Sequence, residues 1–426
     1  MWSSRKWQEM SAKLPKKFGE ISPKSKISAD YAIAVSMPTS FIREEIRELE
    51  AKGLKRSLRE VSGPQGKEIT LDGRKVLNFC SNNYLGLADD PRLIQSAIDS
   101  LKKEGFGSGA SRLVCGNMES HRKLEETIAK FKRAERCLFF TSGYMANVGI
   151  ISALFGREDV IFSDKLNHAS IIDGIILSRA QFKRYPHKDM AVLEEELKSV
   201  SGYRKRVIIT DSVFSMDGDC APLKEIVGLA KKYNALVMTD EAHAFGVLGK
   251  NGRGLVEHFG LEGQVDIQMG TLSKAAGAFG AYCCGSNDLI ELILNRARSF
   301  IYTTGLPPLV AAAGQKAVEI IAAEPGRRQK LLKNADDIRI GLKAIGFDTM
   351  ASQTPIIPIV VKDAALAVQF SRKLFDRGIF VQAIRPPTVP AGTARLRVTA
   401  MATHTREDLD RLLKSMHEVG EELLGL

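Results

Sequence analysis

Two stretches of this 426-residue chain end apolar runs with groups capable of covalent chemistry. Ala235-Leu-Val-Met-Thr-Asp240-Glu-Ala-His243 delivers a carboxylate and an imidazole. Gly270-Thr271-Leu-Ser-Lys274, followed by the small-residue run Ala275-Ala-Gly-Ala-Phe-Gly280, delivers an amine. Open α/β sheets collect their reactive residues at the carboxyl edge, where strands end. A lysine leaving one strand and an aspartate leaving the next suit a Schiff base opposed by an acid. The acid would hold a pyridinium nitrogen protonated and so make the ring an electron sink. Taken singly, the lysine reads as a surface residue and the aspartate as a helix cap. Their joint placement beside a glycine-rich turn favours the chemical reading.

Other motifs bear on the same site. Thr141-Ser142-Gly143-Tyr144-Met-Ala-Asn147 follows the apolar run Cys137-Leu-Phe-Phe140 and opens a helix, whose free N–H groups suit a phosphate or form a simple cap. Thr271 lies three residues before Lys274, where its hydroxyl can add a phosphate contact. His168, in Asn167-His-Ala-Ser170, follows another apolar run; it is either structural or placed to stack on a cofactor ring. Asp240-Glu-Ala-His243 also spells a helicase box, but no Gly-Lys-Ser or Gly-Lys-Thr accompanies it. Gly105-Phe-Gly-Ser-Gly109 resembles a dinucleotide fingerprint, yet it follows a helical pattern rather than a strand. No HExxH or Cys/His cluster points to a metal, and none is expected.

The elements that must position these residues alternate. Helical periodicity near 91–104, 121–134 and 143–154 is interleaved with the runs Asp159–Phe162, Val207–Asp211, Ala235–Asp240, Ile267–Thr271 and Gly280–Gly285. Continuous apolar runs of this length predict strands buried on both faces of a mainly parallel sheet. The expected division is an N-terminal extension over 1–37, a helix and hairpin over 38–83, a large cofactor-binding domain over 84–310 and a small α+β domain over 311–426. The extension carries Pro15 and Pro23, has no sustained period and is expected to be partly disordered. Thr39 or Ser40 would cap a helix that Gly53 ends, and Asp72-Gly73 would turn a hairpin. In the small domain, helices near 308–323 and 326–344 precede strands near 356–361, 378–384 and 394–400, then an amphipathic helix from Thr405.

The net charge of +11 fits an anionic cofactor or substrate, since the basic residues are spread along helices rather than gathered in a nucleic-acid-binding run. Six cysteines without CxxC spacing read as buried reduced thiols, which suits a cytoplasmic setting. No run approaches a membrane span, and the first residues lack the apolar core of a secretory signal.

The motifs together resemble the α-oxoamine synthases, a branch of the fold-type I pyridoxal-phosphate enzymes. The resemblance runs from about residue 40 onward. It rests on Ser81-Asn-Asn-Tyr-Leu-Gly-Leu87, Thr141–Tyr144, His168-Ala-Ser170, Val213-Phe-Ser-Met-Asp-Gly-Asp219, Asp240–His243, Gly270–Lys274 and Arg395-Leu-Arg397. It implies a homodimer with active sites at the subunit interface, in which Lys274 carries the cofactor, Asp240 faces its pyridine nitrogen and His168 stacks on its ring. Ser215 and His243 would contact ring substituents. Gly143, Tyr144 and Thr271 would bind the phosphate, with Thr304 reaching that of the neighbouring subunit. Asn82 and Arg397 would meet the amino-acid carboxylate, and Thr388 and Arg56 the acyl substrate. Ala383-Ile-Arg-Pro-Pro-Thr388-Val-Pro-Ala-Gly392 is similar to the segment of the 8-amino-7-oxononanoate synthases. That branch condenses L-alanine with a pimeloyl thioester, of CoA or a carrier protein, in biotin biosynthesis. Asn83, where that branch carries Asp, and Gly105–Gly116, closer to acetyl- and palmitoyltransferase members, depart from its pattern. The alternatives are a glycine C-acetyltransferase or another α-oxoamine synthase, such as a serine-using relative, and a catalytically silent partner subunit; an intact Lys274 speaks against the last.

Overall fold

The computed structural model describes residues 40–52 and 54–426. The chain forms two compact units, one ending at Leu58 and one spanning Arg59–Leu426. In the first, the helix Ser40–Ala51 forms as the spacing of Ile42, Ile46 and Leu49 predicts, with its whole surface exposed. The extension, Thr39 and Gly53 lie outside the described residues.

The second unit opens with β1 (Val61–Ser62), β2 (Glu68–Leu71) and β3 (Arg74–Asn78). Leu71 pairs with Arg74 across Asp72-Gly73, whose φ values of 49° and 78° are those a two-residue hairpin turn demands.

The large sheet holds β4 (Arg136–Phe140), β5 (Asp159–Asp164), β6 (Gln181–Tyr185), β7 (Lys205–Asp211), β8 (Leu236–Asp240), β9 (Ile267–Thr271) and β10 (Ala281–Gly285). Its order is β4-β10-β9-β8-β7-β5-β6. From β5 to β9 every pairing is parallel, while β10 runs antiparallel to both β4 and β9. Val160, Phe162 and Ile208 enter the core on one face; Ile161, Val207 and Ile209 enter the core on the other. Both faces are therefore dry, which is why these strands read as unbroken apolar runs. Burial of each such side chain contributes roughly 2 kcal/mol. Polar chemistry is consequently displaced to the strand ends. Asp164, Asp211, Asp240 and Thr271 close β5, β7, β8 and β9 at one edge, with Asp211 directly opposite Asp240 in the ladder.

Flanking helices begin at side-chain caps that the sequence supplies. Asp90, Ser142, Asp189, Ser286, Asp363 and Thr405 each accept a first-turn backbone N–H. Such a cap is worth about 1 kcal/mol. The tail forms β11 (Ile356–Lys362), β12 (Ile379–Phe380), β13 (Gln382–Ile384) and β14 (Ala394–Thr399). β11-β14-β13 is an antiparallel sheet, whereas β12 runs parallel to β3 in the four-stranded sheet β1-β2-β3-β12.

Three expectations need correction. The strand expected over 378–384 is two strands in two sheets, because the chain crosses between them at the buried Val381. β6, unforeseen, is a sheet edge whose residues are mostly part-exposed, so no apolar run marks it. The thiols are not uniformly buried: Cys137, Cys283 and Cys284 are, Cys80 and Cys220 are half-buried, and Cys115 is exposed in the short helical turn Arg112–Gly116. No helix among the described residues is long and apolar enough to cross a membrane.

Candidate active site

At the carboxyl edge of the large sheet lies a cavity of about 340 Å³. Of the expected site residues, Asn82, Gly143, Tyr144, His168, Ser215, Asp240, His243, Thr271 and Lys274 line it. Asp240 is buried at the end of β8. Its Oδ2 accepts from Asn147 Nδ2 at 2.8 Å and its Oδ1 from the Ala242 N–H at 2.9 Å. These bonds fix the carboxylate without neutralising its charge, which suits it to a cationic partner in the cavity.

Lys274 follows β9, and its Nζ lies 3.0 Å from His243 Nε2. His243 Nδ1 is 2.6 Å from the Tyr84 hydroxyl, which reaches Asn82 Oδ1 at 3.2 Å. With the proton on Nδ1, each link has one donor and one acceptor. The lysine donates to His243, His243 to Tyr84, and Tyr84 to Asn82. Burial lowers the Lys274 amine, opposed by the negative charge of Asp240. Burial likewise pushes His243 well below the ordinary histidine range, and the Lys274 charge adds to this. Tyr84 is pushed up to about 12 by burial, so it stays a phenol. The lysine thus has a neutral imidazole beside it and, among the described residues, no carboxylate within ion-pair distance, an environment that eases loss of its proton.

His168 caps the helix Ala169–Ser178, its Nδ1 2.8 Å from Ser170 Oγ, and its N–H donates to Asp211 Oδ2 at 2.7 Å. Burial lowers its pKa, against the pull of Asp240. A neutral ring at this wall can stack on a planar ligand. Gly143 and Tyr144 open the helix Gly143–Leu154, where first-turn N–H groups lack intrahelical acceptors, a setting that favours an anion. An added Cβ at Gly143 would meet only Met269 Cε, at 3.8 Å, so the cradle is open. Thr271 Oγ1 donates to the Gly280 carbonyl at 2.8 Å and lies 3.0 Å from Ser273 Oγ, so Ser273 offers a second hydroxyl here. An amine, a charge-demanding carboxylate, a ring wall and an anion cradle together match a phosphorylated pyridine aldehyde.

Four expected residues lie elsewhere. Arg397 is buried on β14; its Nε donates to the Ser215 carbonyl at 2.7 Å and its Nη2 to Asn82 Oδ1 at 3.1 Å. Thr388 is exposed and lines an adjoining cavity of about 150 Å³ that shares Ser215 with the main one. Thr304 bridges Ser111 and borders a separate small cavity with Arg112 and Thr141. Arg56 is exposed in the first unit.

Sequence reasoning passed over Asn147, Ser170, Asp211, Ser273 and Tyr84. Burial raises the Asp211 carboxyl well above the usual range, and Asp240 adds to the effect. Its signal was present, because Val207-Ile-Ile-Thr-Asp211 ends in Thr-Asp as β8 does. Asn83 explains its own departure from the pattern: Nδ2 donates to the Gln65 carbonyl at 3.0 Å, a bond that aspartate cannot make. His187, Asp217 and Asp219 bring ligand atoms within 4.8 Å of one another, but Asp217 is paired with Arg395 and Asp219 with Lys188. That group is an ion-paired cluster.

The family model for aminotransferase class I and II matches residues 74–416. An 8-amino-7-oxononanoate synthase of Geobacter sulfurreducens is 52% identical over 90% of this chain and 99% of its own length. One of Geotalea daltonii is 54% identical over 89% of this chain and 98% of its own. A solved structure of SPT with PLP superposes with a TM-score of 0.86 at 32% identity, covering 90% of this chain and 98% of that one. Agreement of this extent, over the segment that builds the cavity, means that the chain belongs to the aminotransferase class I and II family and, within it, to the family of the 8-amino-7-oxononanoate synthases.

Proposed function

We propose that the protein is a pyridoxal-phosphate-dependent acyltransferase that condenses L-alanine with a pimeloyl thioester, releasing CO2 and the thiol. The observation that carries this reading is identity of about half to the synthases over nine-tenths of the chain, with the lysine and aspartate meeting in one cavity. Pyridoxal phosphate, when bound, supplies an electron sink for negative charge developing at the amino-acid Cα. Lys274 would hold it through its amine, Asp240 would keep its ring nitrogen protonated and His168 would cover its ring. Ser215 and His243 would meet the ring substituents. The N–H groups of Gly143 and Tyr144, with the hydroxyls of Thr271 and Ser273, would hold the phosphate.

With the amino acid bound, the Lys274 amine, which lies beside His243 and is lowered by burial, would take the Cα proton. Arg397, aligned by the Ser215 carbonyl and by Asn82, would hold the amino-acid carboxylate. Thr388 and Arg56 would serve the acyl portion, and Thr304 would reach the phosphate site of a second copy in a cytoplasmic homodimer. The test is direct. L-alanine and pimeloyl-CoA incubated with the enzyme should yield a product of the mass of 8-amino-7-oxononanoate, with one CO2 and one free thiol per turnover. Absence of that product with either the CoA or the carrier-protein thioester would refute the reading.

A further inference from the structure

His187 stands outside the cavity, in Tyr185-Pro186-His187-Lys188, just past the carboxyl end of β6. Both of its ring nitrogens face carboxylates. Nδ1 is 3.0 Å from Asp164 Oδ1 and 3.2 Å from Asp164 Oδ2, and Nε2 is 3.0 Å from Asp219 Oδ2. A neutral imidazole would turn a lone pair on one of them, so both nitrogens donate and the ring is an imidazolium. Asp164 and Asp219 are 1% and 5% exposed, which leaves little water to replace a lost partner.

Each carboxylate belongs to a segment that feeds the cavity. Asp164 ends β5 and accepts the Leu166 and Lys188 N–H groups at 2.8 and 2.9 Å, setting the turn that leads to His168. Asp219 closes the turn Val213–Cys220, which carries Ser215. Lys188 Nζ reaches the same Asp219 Oδ2 at 2.8 Å, while Oδ1 is buried and has no partner among the described residues. The stabilisation of this carboxylate therefore comes through one oxygen and two cations. Phe214 meets the His187 ring edge-on at 4.4 Å between centroids. The other neighbours of the turn are already committed. Asp217 pairs with Arg395, and Gly218 (φ 69°) packs where a Cβ would lie 2.0 Å from the Ile356 carbonyl oxygen.

We infer that His187 is a positioning residue, a charged pin that holds the His168 turn and the Ser215 turn at a fixed separation across the cavity. Through the Ser215 carbonyl it sets Arg397, and hence the grip on the amino-acid carboxylate; this consequence rests on the function proposed above. Two carboxylates face two cations, so the cluster is neutral overall and tolerates burial. Burial alone would push His187 down, but Asp164 and Asp219 outweigh it and hold the ring up at about 9. Burial pushes Asp219 up, yet His187 and Lys188 hold it below the usual range. The pin is therefore fully formed below the ordinary histidine pKa and is lost as pH rises through about 9.

The experiment uses the cofactor-loaded enzyme with 13C-labelled histidine, of which the chain has seven. At pH 8 an imidazolium signal should persist that titrates near 9 and vanishes in His187→Gln. That variant should raise the amino-acid KM roughly tenfold with a smaller loss of kcat. The wild type's further rise of KM above pH 9 should be absent from it. Should His187→Gln not fold, Asp219→Asn must lower the titration midpoint of the imidazolium and raise KM. An enzyme with no imidazolium signal at pH 8, or variants with unchanged KM and pH profile, would overturn the assignment. The histidine signals read the pin whatever substrate is used, so their failure is distinct from failure of the proposed reaction.

Discussion

Lys274 and Asp240 occupy the same cavity but answer different demands, and each can be removed separately. Lys274→Ala deletes the only lysine lining the cavity among the described residues, together with its contact to His243. The variant should lose the visible absorbance of bound cofactor and multiple-turnover activity should fall by about a thousandfold or more. Spectra and steady-state assays of the purified variant check this; full turnover would remove Lys274 from its role. Asp240→Asn keeps the shape of the site. Asn147, whose Oδ1 has no partner among the described residues, can turn its amide over to accept from the new side-chain amide. Cofactor should still bind, while exchange of the substrate Cα proton into deuterated water should slow by about a thousandfold, because a neutral partner no longer holds the ring nitrogen protonated. Exchange at the wild-type rate, read by NMR, would contradict that role for Asp240.

Among the elements, His404 ties the tail to the first hairpin in a way that has a pH signature. Its Nδ1 accepts the Met401 N–H at 3.1 Å and its Nε2 faces the Asn78 carbonyl of β3 at 3.1 Å, so the ring is neutral. Burial lowers it to about 4. Since the folded value lies below the unfolded one, the contribution to stability is present above about 6.5 and is lost as pH falls through about 4. The loss is on the order of 3 kcal/mol. In denaturant melts, His404→Gln, whose amide offers one donor and one acceptor, should flatten the stability curve between those pH values. An unchanged acid slope would show that His404 does not set it.

The same elements explain what the sequence could reveal. β7, β8 and β9 were legible because both faces are buried, and a carboxylate or lysine after such a run stands out. Asp72-Gly73 and the helix start at Thr405 were legible because turn and cap chemistry is local. β6 was not, since an edge strand needs no apolar run. The break at Val381 was not, because the partner of β12 is β3, some 300 residues earlier, and only tertiary pairing decides it. That Asn82 and Arg397 serve one carboxylate came from family resemblance alone, and no spacing predicts the bond between them. His187 was hidden for the same reason, as its partners come from two other segments.

At the scale of the whole molecule, a large mainly parallel sheet presents its strand ends to one cavity, and the small antiparallel sheet delivers Arg397 to two of its lining residues, Ser215 and Asn82. The positive charge of +11 suits an anionic cofactor and an anionic acyl thioester. The adjoining cavity beside Thr388, lined in part by Leu166, Phe214, Met216, Val389 and Pro390, has apolar walls suited to an alkyl chain. The measurement that tests the account most directly is thiol release at one thioester concentration, first with pimeloyl-CoA and L-alanine, then with acetyl-CoA and glycine. The account predicts faster release from the pimeloyl and alanine pair, by tenfold or more, since several buried methylenes each contribute about 0.8 kcal/mol. Faster release from acetyl-CoA and glycine would contradict it and make the protein an acetyltransferase.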